Sequence, residues 1–271
     1  MSEIVLSAGV RSNLLQLQKT ADLITLTQTK LATGKRVNTA LDNPINFFTA
    51  QGLSNRAGDL SNLLDSMSNA VNTIQAANNG ISSIIKLVQS AQSLTSQALQ
   101  TSDTTTRASL STQFGTIRTQ IDQLAADAGF NGINLLNGNN LIVTFNETAT
   151  ATVTVTGVTD TTAGALSIAA AANNWAANAD ITTAAMALTA ALTTLRGQAQ
   201  SLGSSLATVQ IRTDFTKATI NTLTKGADAL TLADSNEEGA NMLALQTRQQ
   251  LSITALSLAS QANQAVLRLF A

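Results

Sequence analysis

The sequence contains no cysteine, no histidine and no tyrosine among its 271 residues. Without cysteine, the chain cannot form a disulfide, use a thiolate as a nucleophile or bind zinc through sulfur. Without histidine, it lacks the side chain that most often acts as a general base or metal ligand. These absences disfavour an enzyme and favour a structural or interaction protein.

Charged and aromatic side chains are also scarce. Charged residues make up 11% of the chain and aromatic residues 3%, and the 15 basic and 16 acidic side chains nearly cancel. A nucleic-acid-binding protein needs a basic surface and often uses aromatic rings to stack on bases. We therefore expect no nucleic-acid partner, and no cofactor or metal, since no carboxylate cluster has ligand spacing. Asp234, Glu237 and Glu238 are interpreted as a solvated helix start.

The chain has one proline, Pro44, and is rich in Ala, Leu and Gln, which suits long helices. Its polar residues are mostly uncharged, and such a coat would suit a surface that packs against copies of itself. The first six residues carry no basic region, and no stretch reaches 18 uninterrupted apolar residues. The sequence thus predicts neither a cleavable secretory signal nor a membrane insertion, although export that reads an uncleaved N-terminus stays open.

A heptad pattern is the strongest feature of the chain. Apolar residues recur alternately four and three positions apart, which is typical of a coiled-coil seam. Residues 110–128 and 181–230 carry shorter or interrupted versions of this pattern. Asn78 interrupts the longest series and either fixes helix register or lies half exposed. The longest series is Leu53, Ala57, Leu60, Leu64, Met67, Val71, Ile74, Asn78, Ile81, Ile85, Val88, Gln92, Thr95 and Leu99.

Both ends of the chain carry a shorter heptad series, and Gly9 and Gly34 bracket the first one as predicted helix boundaries. We expect the two series to pair with each other. The last apolar turn, which includes Phe270, would need a second partner. The N-terminal series is Val10, Leu14, Leu17, Ala21, Ile24 and Leu31, and the C-terminal series is Leu251, Ala255, Leu258, Ala262, Ala265 and Leu269.

The middle of the chain breaks the helical pattern. Residues 141–145 read as a strand, residues 149–156 alternate with a period of two, and residues 146–148 are the predicted turn. Residues 166–168 add a possible third strand. The predicted fold is therefore mainly α, with long antiparallel coiled-coil helices and a helical bundle around a small β-hairpin region.

Residues 31–40 read LATGKRVNTA and residues 130–138 read FNGINLLNG, and together with residues 245–267 they carry a resemblance to bacterial flagellin. Residues 31–40 resemble the "LSSGKRINSA" box that follows the first helix of flagellins, and residues 130–138 resemble their "FNGxxLLNG" turn. Residues 245–267 are similar to the closing helix of the family. The resemblance covers roughly residues 1–140 and 178–271 and implies a minimal flagellin without large outer domains.

The resemblance also implies an organisation and a function. Residues 1–40 with 235–271 would form a terminal coiled-coil domain, residues 41–140 with 176–234 a long-helix bundle, and residues 141–175 a small β-hairpin region. The chain would be exported unfolded through the flagellar channel, without signal cleavage. It would then polymerise with copies of itself into the extracellular filament used for swimming. The implied partners are an export chaperone on the last helix, a filament cap and hook-junction proteins.

Other functions remain open. The nearest is a flagellin-like protein of the hook–filament junction, and a second is a non-assembling secreted coiled-coil scaffold. For the terminal helices, the alternative to assembly is an ordinary helix pair in a soluble bundle. If the helices do assemble, we expect them to be disordered in the free monomer.

Two surface segments carry further hypotheses. Residues 87–102 contain no charge, and in many flagellins the matching stretch is sensed by a Toll-like receptor. Ser90, Gln92 and Ser93 would stand where the family has charged contacts, so we expect poor sensing. Residues 144–167 are rich in threonine and form either an O-glycan acceptor surface or simply the solvent side of β-strands.

Overall fold

The computed structural model describes residues 8–269, including their side chains except for residues 263 and 266–269. The described chain is 76% helical, which confirms the mainly α fold. Its elements in chain order are α1 (Ala8–Thr33), α2 (Pro44–Gln100), α3 (Thr104–Asp127), β1 (Leu141–Thr144), β2 (Thr152–Val155), a 3-10 turn (Ala172–Trp175), α4 (Asn178–Thr231) and α5 (Ser235–Leu269). No helix in this described part is long and apolar enough to cross a membrane.

Capping residues explain where α1 ends and α2 begins. α1 stops at Thr33, directly before Gly34, whose positive φ of 67° suits a residue that terminates a helix. Asn43 then caps α2, because its Oδ1 accepts a hydrogen bond from the Asn46 N–H at 3.0 Å. Pro44 is the first residue of α2, a position that needs no N–H donor. Asn43 and Pro44 therefore mark the start of the second helix.

The heptad positions of α2 face inward, as predicted. Met67, Ile74, Ile81 and Val88 are completely buried, and Asn78 is half-buried. Leu99, at the end of the series, is 42% exposed. A second stripe on α2 is also buried, and it consists of Ala70, Ala77, Ile84, Ala91 and Ala98. α2 therefore packs on two sides, which is wider than a simple coiled-coil seam.

β1 and β2 form an antiparallel pair in which Leu141 lies opposite Val155 and Thr144 opposite Thr152. The predicted third strand, residues 166–168, is wrong. Leu166 and Ile168 are buried, but Ser167 between them has a positive φ of 48°. The Ile168 N–H donates to the Thr162 carbonyl of its own loop instead of to a strand. An alternating burial pattern therefore arises here from a packed loop.

The chain divides into two compact units. We call Met1–Asn55 with Thr222–Ala271 the terminal unit, and Arg56–Asn221 the core unit. The three-part division expected from the sequence stays a prediction.

The core unit closes around large apolar side chains and one buried cation. Phe114 of α3 packs on Trp175 with ring centroids 5.1 Å apart, and both are fully buried. Arg107 is 6% exposed and has no carboxylate among its hydrogen-bond acceptors. Its guanidinium donates to the carbonyls of Ala98 (3.1 Å), Thr101 (2.7 Å) and Ala176 (3.0 Å), and to Asn178 Oδ1. It thereby ties the end of α2 to the start of α4.

Candidate assembly surface

α1 and α5 pack along each other in the terminal unit. Lys30 Nζ in the last turn of α1 lies 3.0 Å from Glu238 Oε1 in the first turn of α5. Asp234 caps α5, since its Oδ1 accepts from the Asn236 N–H at 2.8 Å. The interpretation of Glu238 as part of a solvated helix start is wrong, because it is 9% exposed and paired with Lys30. An acidic residue in the first turn is also favoured by the helix dipole.

The links before α2 and before α5 hold each other through backbone hydrogen bonds. The N–H groups of Arg36 and Val37 both donate to the Thr231 carbonyl, at 2.7 and 3.2 Å. The Ala233 N–H donates to the Gly34 carbonyl at 3.0 Å. The segment that carries the first sequence motif is therefore one half of a backbone clasp.

Asp42 organises the same link. Its Oδ2 accepts hydrogen bonds from the N–H groups of Thr39 (2.8 Å) and Asn38 (2.9 Å). These bonds, that of Thr39 first, hold the pKa of Asp42 below its ordinary value. The link is thus built by local polar contacts.

The side of α1 that faces α5 mixes polar and apolar residues. Val10, Thr20 and Thr27 are buried on α1, and they repeat at the spacing of one helix face. Thr20 Oγ1 donates to the Gln16 carbonyl at 2.8 Å, so its hydroxyl is satisfied within the helix. The half-buried stripe of α5 is mixed in the same way and consists of Met242, Leu245, Gln249, Ser252, Leu256 and Ala259.

The structure corrects the predicted pairing of the two terminal series. On α1, Val10, Leu17 and Ile24 face inward as predicted, whereas Leu14, Ala21 and Leu31 are exposed. On α5, every member of the predicted series with a described side chain is exposed: Leu251, Ala255, Leu258, Ala262 and Ala265. The side chain of Leu269 and all of Phe270 lie outside the described residues. α5 carries two apolar stripes, and the smaller one faces α1.

The consequence is an apolar outer face on the terminal helices. Nine large apolar side chains on α1 and α5 are between 36% and 67% exposed. We call them the outer leucine surface: Leu14, Leu15, Leu23, Leu26 and Leu31 on α1, and Leu243, Leu251, Ile253 and Leu258 on α5. Sequence reasoning missed five of them, because Leu15, Leu23, Leu26, Leu243 and Ile253 lie off the chosen heptads. Apolar surface of this extent on one helix pair is typical of a protein interaction site.

A second group of exposed apolar side chains lies at and just before the start of α2, within the terminal unit. Leu41, Ile45 and Phe48 are 95%, 78% and 64% exposed and follow one another at helical spacing. The heptad analysis also missed this group, since its series began at Leu53. It is a further apolar surface of the same unit.

The segment expected to correspond to the receptor site presents an uncharged surface. Ser90 and Ser93 on α2 are exposed. Gln92 is half-buried, and its Nε2 donates to Thr189 Oγ1 of α4 at 3.3 Å. Two of the three residues are therefore accessible, and the third is partly engaged in packing α2 against α4.

The threonines of the hairpin lie on its open side. Thr152, Thr154 and Thr156 are exposed, while Val155 is buried. In the turn, Asn146 Oδ1 accepts from the Ala151 N–H at 2.9 Å, so this side chain shapes the turn. Within the residues described here, no group of three or more Asp or Glu side chains is placed to hold a metal ion.

Two family models match the chain. The model of the bacterial flagellin N-terminal helical region matches residues 8–141, and that of the C-terminal helical region matches residues 185–270. Flagellin FljN of Caulobacter vibrioides is 30% identical over 282 residues, covering all of this chain and 99% of the relative. Flagellin FljK of the same organism is 29% identical with the same coverage, and a flagellin of Brucella melitensis is 28% identical over 284 residues.

Proposed function

Because this chain belongs to the bacterial flagellin family, we propose that the outer leucine surface of α1 and α5 forms the contacts between its subunits. The protein is a structural subunit of the flagellar filament, an extracellular homopolymer, and not an enzyme. The observation that carries the proposal is the pattern of buried and exposed side chains in the terminal unit. Thr20 and Thr27 are buried on α1, whereas nine leucine and isoleucine side chains of α1 and α5 are exposed.

The energetics favour several contacts acting together. The nine side chains keep about half of their surface exposed, so completing their burial contributes on the order of 10 kcal/mol. Association costs an estimated 4–15 kcal/mol. Burial of the outer leucine surface alone therefore roughly offsets the free-energy cost of association. Leu41, Ile45 and Phe48 would supply the remaining apolar area if they also meet neighbouring subunits.

The same features support the export route. An unfolded chain without cysteine cannot become trapped by disulfides. The contact between α1 and α5 buries threonines beside few large apolar side chains, which makes the pair weak in isolation. The pair would therefore gain most of its stability when subunits assemble. A chaperone that binds α5 before export would cover the same leucines. The cap and hook-junction proteins would meet the terminal unit at the ends of the filament.

Paired variants of α5 test the assembly surface. Leu251→Gln with Leu258→Gln changes the outer leucine surface, and Leu245→Gln with Leu256→Gln changes the matched half-buried stripe on the same helix. We expect the outer pair to abolish filaments in ammonium sulfate, observed by negative-stain electron microscopy and sedimentation. We expect it to leave the monomer's circular dichroism unchanged.

The control pair should weaken the α1–α5 contact in the monomer first. Normal filaments from the outer pair would contradict the assembly surface. Short closed assemblies from the unmodified chain would favour a junction protein, and monomers alone would favour a non-assembling scaffold.

We also propose that this flagellin is poorly sensed by the Toll-like receptor, because Ser90, Gln92 and Ser93 offer no charge. Purified monomer should activate a receptor reporter line weakly, and Ser90→Arg with Ser93→Glu should raise activation. Matched charges at two other exposed sites, Thr208→Arg and Ile211→Glu, serve as the control. Strong activation by the unmodified monomer would contradict this hypothesis.

A further inference from the structure

Asp160 and Gln198 form an incomplete hydrogen-bonded pair inside the core unit. Asp160 lies in the loop after β2 and is fully buried, and Gln198 lies on α4. Gln198 Nε2 donates to Asp160 Oδ1 at 2.8 Å. The other two oxygens, Asp160 Oδ2 and Gln198 Oε1, are buried and receive no hydrogen bond from the described residues. Two orphan acceptors on two side chains already in contact are an unusual and costly arrangement.

The surroundings of the pair are uncharged. The pair borders a cavity of about 50 Å³ between α2, α4 and two loops. The remaining side chains that line this cavity carry no charge, and they are Ile81, Leu135, Leu136, Thr156, Val158, Ser201 and Leu202.

Two charged side chains of α3 bind the same loop at Thr162, two residues after Asp160. Asp122 accepts from the Thr162 N–H at 2.6 Å and from its hydroxyl at 2.9 Å, and Arg118 Nη2 donates to the same hydroxyl at 3.2 Å. Both are therefore engaged with Thr162, and none of the described residues that line the cavity is a cation. Burial accordingly raises the pKa of Asp160 to about 6, opposed by the hydrogen bond from Gln198.

We propose that Asp160 and Gln198 form a proton-binding latch. When Asp160 Oδ2 takes up a proton from solvent, the carboxyl group donates to Gln198 Oε1 while Gln198 Nε2 donates to Asp160 Oδ1. The two bonds close one ring and satisfy both orphan oxygens. When the proton leaves, a carboxylate oxygen and an amide oxygen are left without a donor in a buried space.

The latch holds the loop of residues 156–168. The Val158 N–H donates to the Leu135 carbonyl at 2.7 Å, and the Asp160 N–H donates to the Leu136 carbonyl at 2.8 Å. Ionisation would leave a poorly solvated carboxylate between these contacts, which favours their opening. The loop is therefore closed when the pair is protonated and is loosened when the pair ionises.

The sign of the pH effect follows from proton linkage. Because the folded state binds the proton more tightly than the unfolded chain, unfolding releases it, and stability falls as pH rises through the folded pKa. With a folded pKa of about 6 and an ordinary unfolded value, the unfolding equilibrium constant is about tenfold larger at pH 7.5 than at pH 5.

The composition makes this effect easy to isolate. The chain has no histidine or cysteine, so no ordinary side chain titrates with a midpoint between pH 5 and pH 8. Its single tryptophan, Trp175, is buried in the same unit. Trp175 fluorescence therefore reports unfolding of the core unit.

The test is denaturant unfolding of the full-length monomer at pH 5 and pH 7.5. Asp160→Asn is an uncharged mimic of the protonated pair, since its amide can close the same ring with Gln198. We expect the unmodified protein to lose stability at pH 7.5, whereas the variant keeps its midpoint and exceeds the unmodified protein there. The control, Asp122→Asn, loses an acceptor for Thr162 in the same loop and should be weakened equally at both pH values.

Two results would overturn the latch. One is an unmodified protein with the same midpoint at both pH values. The other is an Asp160→Asn variant weakened equally at both, as expected if Asp160 is ionised and a water molecule bridges the two oxygens. If the variant fails to fold, carbon-detected NMR titration of the unmodified Asp160 carboxyl group decides. A midpoint near 6 supports the latch, and an ordinary aspartate midpoint refutes it.

Discussion

The core unit and the terminal unit differ in where they place their large apolar side chains. In the core unit, α2 buries Met67, Ile74 and Ile81 completely. In the terminal unit, α1 buries Thr20 and Thr27, while its leucines at positions 14, 15, 23 and 26 are at least 40% exposed. The core unit thus closes around an apolar cluster within a single chain. The terminal unit leaves large apolar side chains exposed, and the proposed assembly surface consists of these side chains.

The largest expected effect is the contrast between Phe114→Ala and Leu258→Ala. Phe114 is fully buried against Trp175, so its truncation should destabilise the core unit by about 3–5 kcal/mol. Leu258 is 62% exposed, so its truncation should change monomer stability by less than about 0.5 kcal/mol. Denaturant unfolding of the two monomers measures both values. Comparable losses of stability would remove the distinction between the two units.

A smaller effect is expected at the buried cation of the core unit. Arg107→Ala leaves the carbonyls of Ala98, Thr101 and Ala176 without their donor, which should cost about 3 kcal/mol. Arg107→Lys keeps one charge but not the planar fork, so its loss should be intermediate. Arg196→Ala, on the exposed side of α4, is the matched control. Trp175 fluorescence during unfolding measures all three, and a neutral Arg107→Ala would show that the carbonyls find other donors.

The smallest expected effect comes from making the α1–α5 contact of the terminal unit more apolar, like the interior of the core unit. Thr20→Val with Thr27→Val places apolar groups of similar shape in the α1–α5 seam and should stabilise the pair by about 1 kcal/mol. Far-UV circular dichroism during heating should show the terminal helices of the monomer melting at a higher temperature. The same changes at the exposed threonines 25 and 29 are the control. An unchanged or lower melting temperature would mean that the threonine hydroxyls contribute more than their burial costs.

The sequence predicts the inward heptad series of α2 well, because apolar residues fill most of its positions. α2 has a dominant stripe, and the structure buries it. α5 has two apolar stripes, and only its packing against α1 determines that Leu256 is half-buried while Leu258 is exposed. Residues 166–168 alternate between apolar and polar like a strand. The loop contacts that bury them involve residues outside this short stretch, so its sequence alone does not reveal them. The pair of Asp160 and Gln198 could not be predicted, since 38 residues separate them and neither belongs to a motif.

The Lys30–Glu238 ion pair joins residues 208 positions apart in the chain. Contacts at such separation must wait for a long loop to close, which slows their formation. A chain that emerges from its N-terminal end holds α1 without a partner until nearly the whole sequence has followed. The clasp between Gly34 and Ala233 has the same delay. In the proposed assembly, the surface that joins one copy to the next would therefore be completed last.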